Sequence, residues 1–146
     1  MFTNQRFDNW ELKQSTLSGL ESLGWEKATP VQRDTIPTAL DGNDVIGQAR
    51  TGSGKTGAFG IPIIEACQPT GTLQALILAP TRELANQVSV EMNSIQGDSG
   101  LKIVTVYGGT DLEKQARQLN DGVDIIVGTP GRVMDMTKRE YIDLSN

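Results

Sequence analysis

Four short apolar runs, each followed by a stretch with helical character, constrain this chain more than any other feature of its sequence. They are Asp44–Gly47, Gln74–Ala79, Lys102–Tyr107 and Asp124–Gly128, all rich in Val, Ile or Leu. Runs that are apolar on both faces suit parallel strands buried between helices. After the second run, Leu84, Val88, Met92 and Ile95 recur at helical spacing and predict an amphipathic helix. Strand–helix alternation of this kind predicts an α/β fold, a mainly parallel sheet flanked by helices. In such sheets ligands bind beyond the carboxyl ends of the strands, and every motif described below is expected at that edge.

The segment before the first run reads as helical. Leu12, Leu17, Leu20 and Leu23 approximate one apolar face that stops at Gly24, and Thr29-Pro30 opens a second helix with a capping threonine and a first-turn proline. Asp41-Gly42-Asn43 is turn chemistry that ends it. No repeat, low-complexity tract or long linker interrupts the 146 residues, so a single domain spanning 1–146 is expected.

Composition narrows the chemistry. The single cysteine, Cys67, excludes an internal disulfide, and the lack of any histidine removes imidazole catalysis and makes a zinc site implausible. Cys67 reads as buried filler late in a helix, since no base stands in its motif. The apolar runs are too short to cross a bilayer, and the N-terminal residues lack the order of a secretory signal, so a cytoplasmic protein without membrane contact is expected. A net charge of −5 argues against nucleic-acid binding driven by bulk charge. It leaves room for binding through backbone N–H groups, helix N-termini and a few placed arginines.

Ala49-Arg50-Thr51-Gly52-Ser53-Gly54-Lys55-Thr56 follows the first run and opens a helix. Two glycines let the backbone wrap an anion, and the helix N-terminus adds a favourable dipole. Lys55 is placed to neutralise β/γ-phosphates, and the Thr56 hydroxyl to ligate Mg²⁺. The strict phosphate-loop pattern fails at Ala49, which stands where its first glycine would be. A glycine-rich turn with a solvated lysine is the plain alternative, but the strand–loop–helix context favours phosphate. Upstream, Gln32 carries an amide whose donor and acceptor match adenine N6 and N7, and an aromatic ring such as Phe7 could stack on a base. On residues alone Gln32 is more often a solvated helix residue and Phe7 more often a core residue.

Here the sequence resembles the DEAD-box RNA helicases. Phe7, Gly24 and Thr29-Pro30-Val31-Gln32 are similar to the family's Q motif, over about residues 5–33, ahead of a core starting near residue 36. The resemblance implies nucleotide contacts for Phe7, Lys27, Thr29 and Gln32. Ala28 departs from the proline common there. Ala49–Thr56 resembles motif I, which normally begins with alanine and so accounts for the failed pattern. It implies ATP and Mg²⁺ as cofactors, with Lys55 and Thr56 as the catalytic pair.

Three further strand ends carry Pro80-Thr81-Arg82-Glu83-Leu84-Ala85, Gly108-Gly109-Thr110 and Thr129-Pro130-Gly131-Arg132. Small residues, hydroxyls and arginine at helical first turns suit a grip on a phosphodiester backbone without base reading. Singly each is an ordinary turn or cap. In this order they resemble motif Ia, the GG motif and motif Ib of the same family, so the resemblance runs from Phe7 to Arg132. It implies an RecA-like P-loop fold and RNA held by its backbone with little sequence preference. It also implies a second RecA-like domain as partner, and a monomer is expected.

No Asp-Glu-Ala-Asp run follows Arg132 before Asn146. Hydrolysis needs a carboxylate for Mg²⁺ and a group to place the attacking water, so the chain by itself is expected to hold ATP and not turn it over. A strand is also expected to be missing from the sheet. The alternative reading is a non-catalytic nucleotide- or RNA-binding module. A P-loop kinase or transporter ATPase is weaker, because it leaves the Q-like segment and three strand-end motifs unexplained.

Overall fold

The computed structural model describes residues 2–145. A 3-10 turn at Phe7–Trp10 precedes helices α1 (Gln14–Ser22), α2 (Pro30–Leu40) and α3 (Lys55–Ala66). Strands and helices then alternate: β1 (Ala75–Leu78), α4 (Arg82–Gln96), β2 (Ile103–Val106), α5 (Leu112–Asn120), β3 (Ile125–Gly128) and α6 (Pro130–Lys138). The chain divides into two compact units, one running up to Ala66 and including Glu91–Gly100, the other comprising Cys67–Val90 and the chain from Leu101.

In the first unit the N-terminal residues run antiparallel to 26–28. Thr3 N donates to Ala28 O at 2.8 Å, Ala28 N to Gln5 O at 2.8 Å and Phe7 N to Glu26 O at 3.2 Å. Helix α1 starts without a cap of its own; the Glu65 carboxylate of α3 supplies one. Its Oε1 accepts from Lys13 N at 2.9 Å and its Oε2 from the Thr16 hydroxyl at 2.6 Å, so an anion sits where the helix leaves N–H groups unsatisfied. Leu20, Ile36, Ile61, Ile64, Met92 and Ile95 are all fully buried and form the apolar interior of this unit. Close approach is built on small residues: a Cβ at Gly19 would lie 2.2 Å from Ile95 O, and one at Gly60 would lie 3.3 Å from Met92 Cγ.

The second unit holds a three-stranded, all-parallel sheet in the order β1-β3-β2. The central strand β3 pairs Ile125 with Ala75 on one side and with Ile103 on the other, and all its residues are buried. Its Ile-Ile-Val run therefore needs no polar alternation. On one face Val104, Val106 and Ile126 pack with Leu119 of α5, Val133 and Met136 of α6, and Ile142. At the amino end of β3, Asp124 is 1% exposed. Its Oδ1 accepts from Thr70 N (3.1 Å), Gly71 N (2.8 Å) and Gln74 Nε2 (3.0 Å), and its Oδ2 from Lys102 N (2.8 Å). A buried carboxylate is tolerated here because donors surround it.

Three of the four expected strands form within a residue or two of their predicted bounds. The fourth, Asp44–Gly47, is corrected: residues 43–50 have no regular structure, Val45 is 39% exposed and Ile46 98%. A β-branched pair becomes a strand only beside a neighbour that takes up its backbone bonds, and none flanks this segment among the described residues. The apolar stripe of α4 also differs. Ala85, Val88, Met92 and Ile95 are buried, whereas Leu84 is 39% exposed. Helix α3 ends at Ala66, so the buried Cys67 lies just beyond it rather than inside it.

Candidate functional site

The glycine loop delivers the chain into α3, whose first residue is Lys55. Its opening N–H groups have no intrahelical partner, and the dipole makes that end attractive to an anion. Ser53 N donates to Arg50 O at 3.2 Å and the Ser53 hydroxyl donates to the same carbonyl, which closes a turn. Gly54 has φ +89°, where side chains are strained, and a Cβ there would lie 2.6 Å from Gln32 Nε2 and 2.8 Å from Thr29 Oγ1. Only glycine fits that cradle. Lys55 is exposed and Thr56 half-buried; Arg50, Thr51 and Gly52 are exposed, Ala49 half-buried.

Gln32 is 2% exposed and braces the loop. Its Nε2 donates to Gly54 O at 3.1 Å, and its Oε1 accepts from Thr29 N at 3.0 Å. Thr29 and Gln32 thus stand at the start of α2 in the positions of a capping box, of which the Gln32 half is closed by its bond from Thr29 N, while Thr29 Oγ1 is buried without a hydrogen-bond partner among the described residues. An amide has two N–H donors and an oxygen with two lone pairs, so Gln32 keeps one donor and one acceptor position beyond its protein bonds. An orphaned hydroxyl beside the Gly54 cradle, at a helix N-terminus with an exposed lysine, fits a phosphate-bearing ligand. The sequence motif predicts a base contact for Gln32; its brace on Gly54 is a feature that only the structure shows.

Phe7, expected near the nucleotide, lies in the interior of the first unit. Phe7 is 2% exposed, its ring stacked on Trp25 (centroids 6.3 Å apart, planes 25° apart) and edge-on to Trp10 (5.7 Å, 76°). Burial of a large apolar ring outweighs its use as a platform. Trp25 also reaches towards α3, lying 2.9 Å from where a Cβ at Gly57 would sit. Lys27 is exposed and forms an isolated antiparallel bridge with Arg6.

The strand-end motifs all lie in the second unit. Thr81 caps α4, its hydroxyl accepting from Leu84 N at 3.2 Å; Pro80, Thr81, Arg82 and Glu83 are exposed. The Arg82 guanidinium carbon lies 4.6 Å from the centre of the Tyr107 ring. Thr129 ends the β3 ladder by donating from N to Val106 O at 3.0 Å, and the exposed Pro130 opens α6. A Cβ at Gly108, Gly109 or Gly131 would meet nothing within 4 Å. Gly108 and Gly131 also lack the left-handed φ that would demand glycine, so neither crowding within the chain nor backbone geometry requires them. Small residues on open ground suit the close approach of another backbone.

Arg132 is half-buried and partly committed: Nη1 donates to Gln115 Oε1 at 3.0 Å and Nη2 to Thr110 O at 3.2 Å. Gln115 was not among the expected site residues. Its signal in the sequence is a polar residue on the Leu112–Leu119 face of α5, three residues after one leucine and four before the other.

A parallel α/β unit and a glycine loop that opens a helix are the features of a phosphate-loop fold, and the solved structures that superpose on the chain make it RecA-like. The chain belongs to the DEAD/DEAH box helicase family, whose model matches residues 29–146. It is 47% identical over 141 residues to the DEAD-box ATP-dependent RNA helicase CshA of Bacillus subtilis (strain 168), covering 96% of this chain and 28% of that protein. The crystal structure of a DEAD box protein from the hyperthermophile Methanococcus jannaschii superposes with a TM-score of 0.92 at 41% identity, over 97% of this chain and 39% of the other. That of a hypothetical ATP-dependent RNA helicase from Sulfolobus tokodaii gives 0.83 at 37% identity, over 92% and 39%. The chain therefore spans about a quarter to two-fifths of the length of these relatives. Among the described residues no helix is long and apolar enough to cross a membrane.

Proposed function

We propose that this chain binds an adenine nucleotide through residues 29–56 and an RNA backbone through residues 80–132, as part of an ATP-dependent RNA helicase. The observation that carries the reading is the Gly54 cradle, braced by Gln32 and opening α3 at Lys55. In this reading Arg50–Gly54 wrap the phosphates with backbone N–H groups, and Lys55 neutralises their charge. Ala49 lets the chain enter the loop. The Thr56 hydroxyl would hold Mg²⁺, which supplies charge neutralisation across the phosphate oxygens when bound. The remaining donor and acceptor of Gln32 select adenine over guanine, with Thr29 and Lys27 beside it. Phe7 supports that segment from the interior through Trp25.

On the second unit, Thr81, Arg82, Gly108, Gly109, Thr129, Gly131 and Arg132 meet phosphate and sugar, while Pro80, Glu83 and Pro130 shape the turns. Contacts of this type carry no base identity, so little sequence preference follows. The reading includes a second RecA-like domain as partner, a monomeric state and a cytoplasmic location. It also holds that the chain alone binds without turnover, since it has no Asp-Glu-Ala-Asp sequence to supply the Mg²⁺ carboxylate and the water-placing group. Titration of the purified chain with ATP and GDP analogues, beside a phosphate-release assay, tests this. Weak adenine-selective binding with no release is expected; equal affinity for both bases would remove the role given to Gln32.

A further inference from the structure

One side chain joins two of the strand ends in the second unit, and it is too deeply buried to touch a ligand itself. Gln115 of α5 is 6% exposed. Its Oε1 accepts from Arg132 Nη1 at 3.0 Å, and its Nε2 donates to Tyr107 O at 3.2 Å and to Thr110 Oγ1. Arg132 Nη2 donates in turn to Thr110 O at 3.2 Å, and the Thr110 hydroxyl donates to Tyr107 O at 3.0 Å. The three side chains therefore close a ring between the loop after β2 and the first turn of α6. The Tyr107 ring, with Arg82 lying 4.6 Å from its centre, extends the contact to the start of α4.

We propose that Gln115 is a positioning residue that fixes the Arg132 guanidinium and the Gly108–Thr110 loop in one arrangement for a phosphodiester backbone; the inference rests on reading this edge as the RNA site. The chemistry of the position selects glutamine. Arg132 needs an acceptor, while the Tyr107 carbonyl and the Thr110 hydroxyl need donors, and a single amide offers both. A carboxylate would keep the arginine but face the Tyr107 carbonyl without a proton to share. Methionine would keep the length and make none of the bonds. With both terminal nitrogens of Arg132 donating to the protein, its plane is held and the remaining N–H groups point in fixed directions. A fork already ordered loses less freedom on meeting a phosphate than a mobile one.

The test compares the full chain with Gln115→Met, Gln115→Glu and Arg132→Ala. Affinity for a fluorescein-labelled oligouridylate is read by anisotropy, and affinity for an adenine nucleotide analogue is read alongside. The Arg132 Nε–Hε signal and the Gly108, Gly109 and Thr110 amides are followed by ¹⁵N NMR. Gln115→Met is expected to weaken RNA binding about tenfold, the loss of one charge-assisted hydrogen bond, and to leave nucleotide affinity unchanged. The Arg132 and loop signals should move or broaden. Gln115→Glu should keep the Arg132 signal near its place and disturb the loop amides. In an Arg132→Ala background either change should cost RNA affinity little further. Unchanged RNA affinity in both Gln115 variants overturns the proposal, and so does full additivity with Arg132→Ala. If the unaltered chain binds no RNA, the reading of the edge itself fails; disturbed loop signals in the Gln115 variants would then assign the ring to stability alone, which also overturns the proposal. Loss of folding in Gln115→Met, seen as collapsed amide dispersion, leaves Gln115→Glu to decide.

Discussion

Ile46 and Ile126 are the same residue in similar apolar company, yet one is 98% exposed and the other 1%. Ile126 sits in β3 with a parallel strand on each side, and the residues proposed to meet RNA stand at the ends of that ladder. Ile46 sits in residues 43–50, which enter the glycine loop without pairing to a strand. The loop they lead to is held by the Gln32–Gly54 bond and the turn at Arg50–Ser53. Side chains of the second unit tie one of its loops to the next through Gln115, Arg132 and Arg82. Order in a functional loop thus comes from what its neighbours supply. An isoleucine left in water forgoes the ~1.5–3 kcal/mol that burial contributes.

The largest effect is expected at Asp124. Asp124→Ala removes the acceptor that four donors share at the foot of the sheet; Thr70 N keeps Gln68 O and Gln74 Nε2 keeps Gln68 O and Thr72 O, but Gly71 N and Lys102 N are left unsatisfied, and about 3 kcal/mol of stability should be lost. Urea unfolding followed by circular dichroism measures this. A loss below about 0.5 kcal/mol would show that the ladder does not depend on the carboxylate.

Next come two glycines that the structure sets apart. Gly54→Ala forces a side chain into a left-handed φ and against Gln32, so a stability loss of about 1–3 kcal/mol and loss of nucleotide binding are expected. Gly131→Ala meets open space, so stability should stay within about 0.5 kcal/mol while RNA affinity falls roughly tenfold, or ~1.4 kcal/mol. Melting curves and anisotropy on the two variants read both effects; unchanged RNA affinity in Gly131→Ala would remove the reason given for that glycine. The smallest effect is expected from Ile46→Ser. A residue 98% exposed should change stability by no more than about 0.5 kcal/mol, and a larger drop in the urea midpoint would mean that residues 43–50 are packed.

Much of this architecture was legible in the sequence. Ala75–Leu78, Ile103–Val106 and Ile125–Gly128 were visible because apolar runs bounded by turn residues become strands when neighbours exist, and here they do. Thr29-Pro30 marked the start of α2 through local capping chemistry alone. The segment 44–47 reads as a strand in the sequence because its β-branched residues signal one whether or not a partner is present. The burial of Phe7 is not fixed by the sequence, because an aromatic ring reads the same as platform or as core until Trp10 and Trp25 are seen around it. Asp124 and Glu65 act through groups 22 to 54 residues away and Gln115 reaches Arg132 17 residues on, and spacing along the chain does not name such partners.

A crossed titration separates the two ligands: Lys55→Ala and Arg132→Ala, each measured against an adenine nucleotide with Mg²⁺ and against labelled oligouridylate. Lys55→Ala should lose nucleotide affinity by roughly a hundredfold or more and keep RNA affinity, while Arg132→Ala should do the reverse to a smaller degree. If each variant lost both ligands equally, or neither lost any, the assignment of two ligands to two sets of residues would be contradicted.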